Sequence, residues 1–135
     1  MRVVLDTNVL VSGVINPHGA PGRVVDALLA GALTALYDDR TLGEYREVLT
    51  RPAFGFLRAD VETLLDFIET EGEPTAAGAL AAVLPDMSDL PFLEIAATGG
   101  AVLLTGNIKH FKARRGQHHV DLCTPAEFFA RVGNL

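Results

Sequence analysis

Two short apolar runs, far apart in the chain, each end in polar side chains, and this pattern constrains the fold more than any other feature. The first run is Val3-Val4-Leu5 before Asp6, and the second is Val102-Leu103-Leu104 before Thr105-Gly106-Asn107. Short apolar runs of this kind are typical of buried strands in a parallel sheet. The carboxyl ends of such strands form the crevice where open α/β sheets bind ligands. We therefore expect Asp6 and Asn107 to converge at one edge of a sheet.

Helical patterns separate the predicted strands along the chain. Strands are predicted at residues 2–5, 33–37, 101–105 and 120–123, and helices at residues 19–31, 39–50, 59–70, 89–98 and 124–132. Glycine and proline interrupt the alanines of residues 72–84, which predicts a loop with one extended segment. Strands that alternate with helices predict an α/β fold with a mainly parallel sheet and helices on both faces. The 135 residues show neither a repeat nor a linker, so they predict a single domain over residues 1–135.

Five acidic residues are candidates for a shared site, namely Asp6, Glu44, Asp86, Asp89 and Glu94. Carboxylates that converge on one site repel one another unless a cation lies between them. Oxygen ligands of this kind predict Mg²⁺ or Mn²⁺. Glu94 stands out because its helix is otherwise apolar, and a buried carboxylate needs a metal or a hydrogen-bonding partner.

Each candidate also has a purely structural explanation. Asp6 could form an Asx turn or a helix cap, and Glu44 could complete a capping box with Thr41. Either Asp86 or Asp89 is expected to cap the following helix, which leaves the other carboxylate free for a metal.

Glu94 and Asn107 have structural explanations as well. Glu94 could simply face solvent, and Gly106-Asn107, after the strand predicted at residues 101–105, is a pair that is ordinary in turns.

The remaining polar groups give weaker patterns. Three histidines, His110, His118 and His119, lack further ligands at metal-binding spacing, which favours a solvated basic loop. Cys123 is predicted to be a core residue, and a single cysteine excludes an intrachain disulfide and fits a reducing, cytoplasmic setting. Since Arg2 leads directly into a strand and the apolar runs are far shorter than ~18 residues, neither a signal peptide nor a membrane span is predicted.

The net charge of −6 argues against nucleic-acid binding, which usually shows a basic surface. Two observations weaken that argument. Several acids fall in the expected site, where metal ions would offset their charge. Positive charge is also concentrated directly after Asn107, at Lys109, Lys112, Arg114 and Arg115.

Four segments, in this order, resemble the PIN-domain family. They are Leu-Asp-Thr-Asn-Val-Leu-Val-Ser at residues 5–12, Leu-x-Glu-Tyr-x-x-Val-Leu-x-Arg-Pro at 42–52, Asp-x-x-Asp-Leu-Pro-Phe-Leu-Glu-Ile-Ala at 86–96, and Leu-Leu-Thr-Gly-Asn at 103–107. The resemblance extends from Val3 to Phe129 and is greatest to toxins of bacterial and archaeal toxin–antitoxin modules. It implies a three-layer α/β/α sandwich, a metal-dependent ribonuclease with Mg²⁺ or Mn²⁺ at the strand ends, and a homodimer.

The family's acidic positions carry over to this chain residue by residue. Asp6 matches the first family acid and Glu44 the second. In the third segment Leu90 stands where the family often has Asp, so Asp89 or Glu94 would supply the carboxylate. The fourth position, often Asp, is Asn107, which offers an oxygen without a charge.

The resemblance implies an Mg²⁺- or Mn²⁺-dependent endoribonuclease that acts as a toxin and is bound by a cognate antitoxin. The implied catalytic residues are Asp6, Glu44, Asp89 and Asn107, and the implied metal ligands are Asp6, Glu44, Asp86, Asp89 and Glu94. The residues expected to contact RNA are Thr7, Asn8, Thr105, Lys109, Lys112, Arg114 and Arg115. The alternatives are a PIN-like module that binds RNA or an antitoxin without catalysis, and a phosphatase that acts on small molecules.

Overall fold

The computed structural model describes residues 1–111 and 120–135, and five parallel strands form the sheet at its centre. The strands are β1 (Arg2–Leu5), β2 (Thr34–Tyr37), β3 (Glu73–Pro74), β4 (Val102–Leu104) and β5 (Leu122–Cys123), in the order β3-β2-β1-β4-β5. The helices are α1 (Thr7–Ile15), α2 (Ala20–Leu29), α3 (Asp39–Leu49), α4 (Arg58–Glu71), α5 (Leu90–Gly99), α6 (Ile108–Phe111) and α7 (Pro125–Val132). This arrangement confirms the predicted α/β fold, a parallel sheet between layers of helices.

The central strand, β1, sets where the site lies. Val3 pairs with Ala35 of β2 on one side and with Val102 of β4 on the other. Residues 3–5 are fully buried, as expected for a strand covered on both faces. The backbone N–H of Asp6 donates to the carbonyl of Leu104 at 2.9 Å. Asp6 is therefore the first residue beyond the strand, at the carboxyl edge of the sheet, as the apolar run predicted.

Helix α1 is the main element that the sequence analysis did not predict. Its residues include valines and a glycine, which have low helix propensity, and its stability depends on packing. Val9 and Leu10 are buried in the core. Gly13 allows close contact with α2, because a Cβ at that position would lie 2.8 Å from the carbonyl oxygen of Pro21. Tertiary contact therefore decides the helical state of this segment.

Two capping boxes define the starts of α3 and α7. Asp38 accepts a hydrogen bond from the backbone N–H of Thr41, and the Thr41 hydroxyl accepts one from the N–H of Asp38. Asp38 and Thr41 thus complete the cap of α3 without Glu44. At α7 the structure confirms the predicted box between Thr124 and Glu127.

The connection from α4 to α5 is irregular apart from β3 and a 3-10 turn, Met87–Asp89, and its residues 72–84 confirm the predicted loop with one extended segment. Pro74 is tolerated in β3 because this strand forms the edge of the sheet. Beyond it, Thr75 donates its N–H to the carbonyl of Tyr37 at 2.8 Å. Within the described residues, each helix is too short or too polar to cross a membrane.

Candidate active site

A cleft of about 360 Å³ lies at the carboxyl ends of β1 and β4. Its walls come from the start of α1, one face of α3, the turn before α5 and the segment after β4. The residues that line it are Asp6, Thr7, Asn8, Val11, Ser12, Glu44, Val48, Arg51, Phe54, Asp86, Ser88, Asp89, Asn107 and His110. Four of them are carboxylates, drawn from three separate parts of the chain.

Asp6 is buried at the base of this cleft. Its Oδ2 accepts hydrogen bonds from the hydroxyl of Thr105 at 2.7 Å and from the side-chain amide of Asn8 at 3.1 Å. Burial raises the pKa of Asp6 to about 6, although the hydrogen bond from Thr105 lowers it, and the negative charge of Asp89 raises it further. Asp6 occupies the N-cap position of α1, but its carboxylate is directed to these partners.

Glu44 reaches the same cleft from α3. The hydroxyl of Thr7 donates a hydrogen bond to its Oε2. The next residue, Tyr45, is fully buried and donates its hydroxyl to the carbonyl of Leu5 at 2.5 Å, which holds α3 against the end of β1. Burial raises the pKa of Glu44, the Thr7 hydrogen bond lowers it, and the charge of Asp6 raises it.

Asp86 and Asp89 have different environments, although only two residues separate them. Asp86 is exposed, and its Oδ1 accepts from the N–H and the hydroxyl of Ser88 at 2.9 and 2.7 Å. These hydrogen bonds lower the pKa of Asp86. Asp89 is buried, and burial raises its pKa, while the neighbouring His110 lowers it. Asp86 therefore caps the 3-10 turn Met87–Asp89 at the rim of the cleft, whereas Asp89, at the N-cap position of α5, makes no capping hydrogen bond with its side chain and is buried in the cleft.

Glu94 has hydrogen-bonding partners within the protein, one of the two alternatives that the sequence left open. It is buried, and its Oε1 pairs with the guanidinium of Arg40 at 2.7 Å. Its Oε2 accepts the backbone N–H of Leu80 at 2.8 Å, which ties down the irregular connection before α5. These two partners satisfy the buried carboxylate, and among the described residues it is not part of the cleft lining.

The segment after β4 supplies the other side of the cleft. The hydroxyl of Thr105 accepts the N–H of Asn107 at 3.0 Å while it donates to Asp6. The side-chain oxygen of Asn8 accepts the N–H of Gly106 at 3.0 Å. Asn107 itself is exposed at the cleft wall. Thr105 and Asn8 thus shape this wall through hydrogen bonds within the protein.

The basic run that was expected to contact RNA is only partly described. Lys109 is exposed in α6 and, among the described residues, does not line the cleft. The other members of the run lie outside the described residues, as do two of the three histidines: Lys112, Arg114, Arg115, His118 and His119.

His110 is a cleft residue that the sequence analysis assigned to a solvated loop. It lies in α6, and its Nδ1 is 3.1 Å from Oδ2 of Asp89. The signal in the sequence was its position three residues after Asn107, close to a strand end. Arg51 and Phe54 were also missed as cleft residues, and both lie beyond the end of α3, in the turn that follows it.

The chemistry of this cleft suits a hard divalent cation. Its donors are carboxylate, amide and hydroxyl oxygens, the ligands that Mg²⁺ and Mn²⁺ prefer. Burial raises the pKa values of Asp6, Glu44 and Asp89, and neighbouring carboxylates add a smaller rise, which a bound cation would relieve. Within residues 1–111 and 120–135, however, no three His, Cys, Asp or Glu side chains are close enough together to hold a metal ion as they stand.

Comparison with known proteins identifies related sequences. The profile of the family described as the PIN domain matches residues 2–109. An uncharacterized protein of Methanocaldococcus jannaschii, MJ1680, is 23% identical over 145 aligned residues, which cover 95% of this chain and 89% of the relative. No solved structure matches the chain significantly.

Proposed function

The chain belongs to the PIN domain family, whose members are generally nucleases, and we propose that it is a metal-dependent ribonuclease that hydrolyses RNA phosphodiester bonds. The observation that carries the proposal is the buried carboxylate of Asp6 at the sheet edge, with Glu44 and Asp89 lining the same cleft. Buried like charges are unfavourable in a fold unless they bind something positive.

Asp6, Glu44 and Asp89 are the proposed ligands of Mg²⁺ or Mn²⁺, and Asp86 is a more exposed contributor at the rim. A divalent ion bound here would activate a water for attack on a phosphodiester and stabilise charge on the leaving oxygen. Glu94 leaves this set, because Arg40 and the N–H of Leu80 already occupy both of its oxygens.

The protein side chains around the carboxylates have their own tasks. Thr105 and Thr7 orient Asp6 and Glu44 by donating hydrogen bonds to them. Asn107 is exposed on the wall of the cleft, and its proposed role is to orient a water or a substrate oxygen. His110 lies beside Asp89 and orients that carboxylate.

Metal-dependent cleavage is tested with single-stranded RNA in Mg²⁺, in Mn²⁺ and in EDTA. We expect cleavage in the two metals and its loss in EDTA. Asp6→Asn should abolish cleavage, whereas Asp66→Asn, which removes an exposed carboxylate from α4, should leave it unchanged. Cleavage by Asp6→Asn at the wild-type rate would refute the proposal.

RNA binding is proposed to use the basic run after Asn107, namely Lys109, Lys112, Arg114 and Arg115. Each phosphate contact releases counterions, so its loss weakens binding to every sequence and flattens the salt dependence by about one unit of slope or less. Replacement of Lys112, Arg114 and Arg115 together by Ser tests this. If the RNA affinity and the slope of its salt dependence were unchanged, the basic run would not contact RNA.

We further propose that the protein is the toxin of a toxin–antitoxin pair, a homodimer, and a single domain over residues 1–135. Resemblance supports the first two proposals. The third is supported by β5, which pairs with β4, and by the contact of α7 with α2, since both elements lie beyond the matched residues. Growth arrest on expression of the wild type, absent for Asp6→Asn, would support the toxin role.

The alternative is a PIN-like module that binds RNA or an antitoxin without cleaving it. The observation in its favour is the loss of two family acids, with Leu90 and Asn107 at the third and fourth positions. RNA affinity that is unchanged by EDTA, together with the absence of cleavage, would favour this alternative.

A further inference from the structure

The cleft has a second, apolar end that the proposed catalytic groups do not use. Val11 and Val48 line it, together with Phe54. Val11 follows Thr7 by four residues on α1, and Val48 follows Glu44 by four residues on α3. Four helical residues advance by about 6 Å. On both helices the apolar wall therefore begins one turn beyond a polar residue of the site, a distance that one bound RNA strand can span.

Phe54 lies at this end of the cleft, in a turn whose backbone is restricted. It closes a 3-10 turn, Pro52–Phe54, in which proline restricts the backbone and Gly55 ends the turn in the left-handed region, with φ of 65°. The ring of Phe54 stacks on Phe56 with centroids 5.3 Å apart and an angle of 8° between the planes. Phe56 packs on the core, and of these two rings only Phe54 lines the cleft, within the described residues. The stacked pair thus presents Phe54 toward the cleft.

Arg51 provides positive charge beside this ring. Among the described residues it is the only Lys or Arg that lines the cleft. Its guanidinium pairs with Glu47 at 3.1 Å, and both side chains are more than half exposed, at 53% and 66%. An exposed ion pair of this kind contributes little to the free energy of folding. The remaining N–H donors of Arg51 are available to a phosphate.

We propose that Phe54 and Arg51 form a nucleotide subsite next to the carboxylates, in which an unpaired RNA base stacks on Phe54 and Arg51 contacts an adjacent phosphate. The inference rests on the proposed ribonuclease function and adds to it a preference for single-stranded substrate. Bases in a duplex are already stacked on their neighbours, whereas an unpaired base can stack on an aromatic ring.

The base contact is tested by fluorescence anisotropy with a single-stranded RNA oligomer in EDTA, so that the RNA stays intact. Phe54→Ala should weaken binding by about 5- to 100-fold, and Phe54→Trp should retain it. Leu57→Ala is the matched control, because Leu57 is an exposed apolar residue of the same segment that lies outside the described cleft lining. Thermal melting of each variant separates loss of the subsite from loss of the fold.

An abasic nucleotide walked along the oligomer gives a second readout. At one position it should weaken binding to the wild type and leave binding to Phe54→Ala unchanged, because the partner of the base is already missing. Arg51→Ala should weaken binding and flatten its salt dependence by about one unit of slope or less, whereas Arg131→Ala, an equally exposed arginine on α7, should not.

The outcomes separate the two proposals. If the wild type binds and cleaves RNA while Phe54→Ala, properly folded, binds it equally well, the subsite is wrong and the ribonuclease proposal stands. If the wild type neither binds nor cleaves RNA, both are wrong. Equal affinity for a single strand and the matching duplex would also overturn the subsite.

Discussion

The hydroxyl of Thr105 lies 2.7 Å from Oδ2 of Asp6 and joins the ends of two adjacent strands across 99 residues of sequence. Thr105 is fully buried, and its oxygen also accepts the N–H of Asn107 at 3.0 Å. The side chain of Thr105 therefore positions both the carboxylate of Asp6, a proposed metal ligand, and the backbone of Asn107, where the opposite wall of the cleft begins. The hydrogen bond also lowers the pKa of Asp6 against the larger effect of burial.

Thr105→Val should weaken binding of Mg²⁺ or Mn²⁺ more at pH 6 than at pH 8. Without the hydroxyl the pKa of Asp6 rises further above about 6, and a carboxylate must be deprotonated to bind metal. Titration calorimetry at the two pH values measures the difference. Thr105→Ser keeps the hydroxyl and should behave like the wild type. An equal loss of affinity at both pH values would show that the hydrogen bond acts on geometry alone.

Asp6→Asn should stabilise the protein in EDTA at neutral pH, by at most about 3 kcal/mol. The pKa of Asp6 is raised from 3.8 to about 6 in the folded state. The stability that this group contributes is therefore fully present below about pH 4 and is lost as the pH rises through about 6. Denaturant unfolding of both proteins between pH 4 and 8 measures the difference in their free energies of unfolding. This difference should grow from about pH 4 to about pH 6 and then level off.

In saturating Mg²⁺ the wild type should be more stable than Asp6→Asn, because a ligand that binds only the native state stabilises it. The wild type should gain stability, and Asp6→Asn should gain little. An Asp6→Asn protein that unfolds more readily than the wild type in EDTA at pH 8 would contradict the unfavourable burial of the Asp6 charge among these carboxylates.

Asp89→Ala should reduce metal affinity by about tenfold or more, whereas Asp86→Ala should reduce it less. Asp89 is buried in the cleft, while Asp86 is exposed and engaged by Ser88. Calorimetric titration with Mn²⁺ measures both variants. If Asp86→Ala lost binding while Asp89→Ala kept it, the capping and metal roles would have to be exchanged.

Glu94→Ala should lower the free energy of unfolding by about 1–3 kcal/mol and leave metal affinity unchanged. The change removes one of the two carboxylates that pair with Arg40, the other being Asp38, and leaves the N–H of Leu80 without its acceptor. Glu94→Gln keeps an oxygen for that N–H and should lose less stability. A large fall in metal affinity for a folded Glu94→Gln protein would return Glu94 to the proposed ligands.

Local patterns in the sequence were enough to predict several elements. The apolar run before Asp6 predicted β1 because a strand covered on both faces must be apolar along its whole length. The capping box of α7 was readable because Thr124 and Glu127 satisfy backbone groups within three residues of each other. These features depend on neighbouring residues, so the chain encodes them locally.

Other features depend on residues that are far apart in the sequence. The apolar helix around Glu94 predicted that a buried carboxylate would need a partner, but it did not identify the partner residue. That residue is Arg40, which lies 54 residues earlier in the sequence. The sequence predicted that His110 belongs to a basic loop, but in the structure it contacts Asp89 and lines the cleft.

The sequence by itself determined the parallel sheet and which strands end in polar side chains, because burial requires an apolar pattern at a fixed period. Only the tertiary structure decided that residues 7–15 are helical, that Asp86 caps a 3-10 turn while Asp89 is buried in the cleft, and that Phe54 lines its apolar end. The physical reason is that the free energies of these choices come from packing, burial and hydrogen bonds between segments that meet only after the sheet has formed.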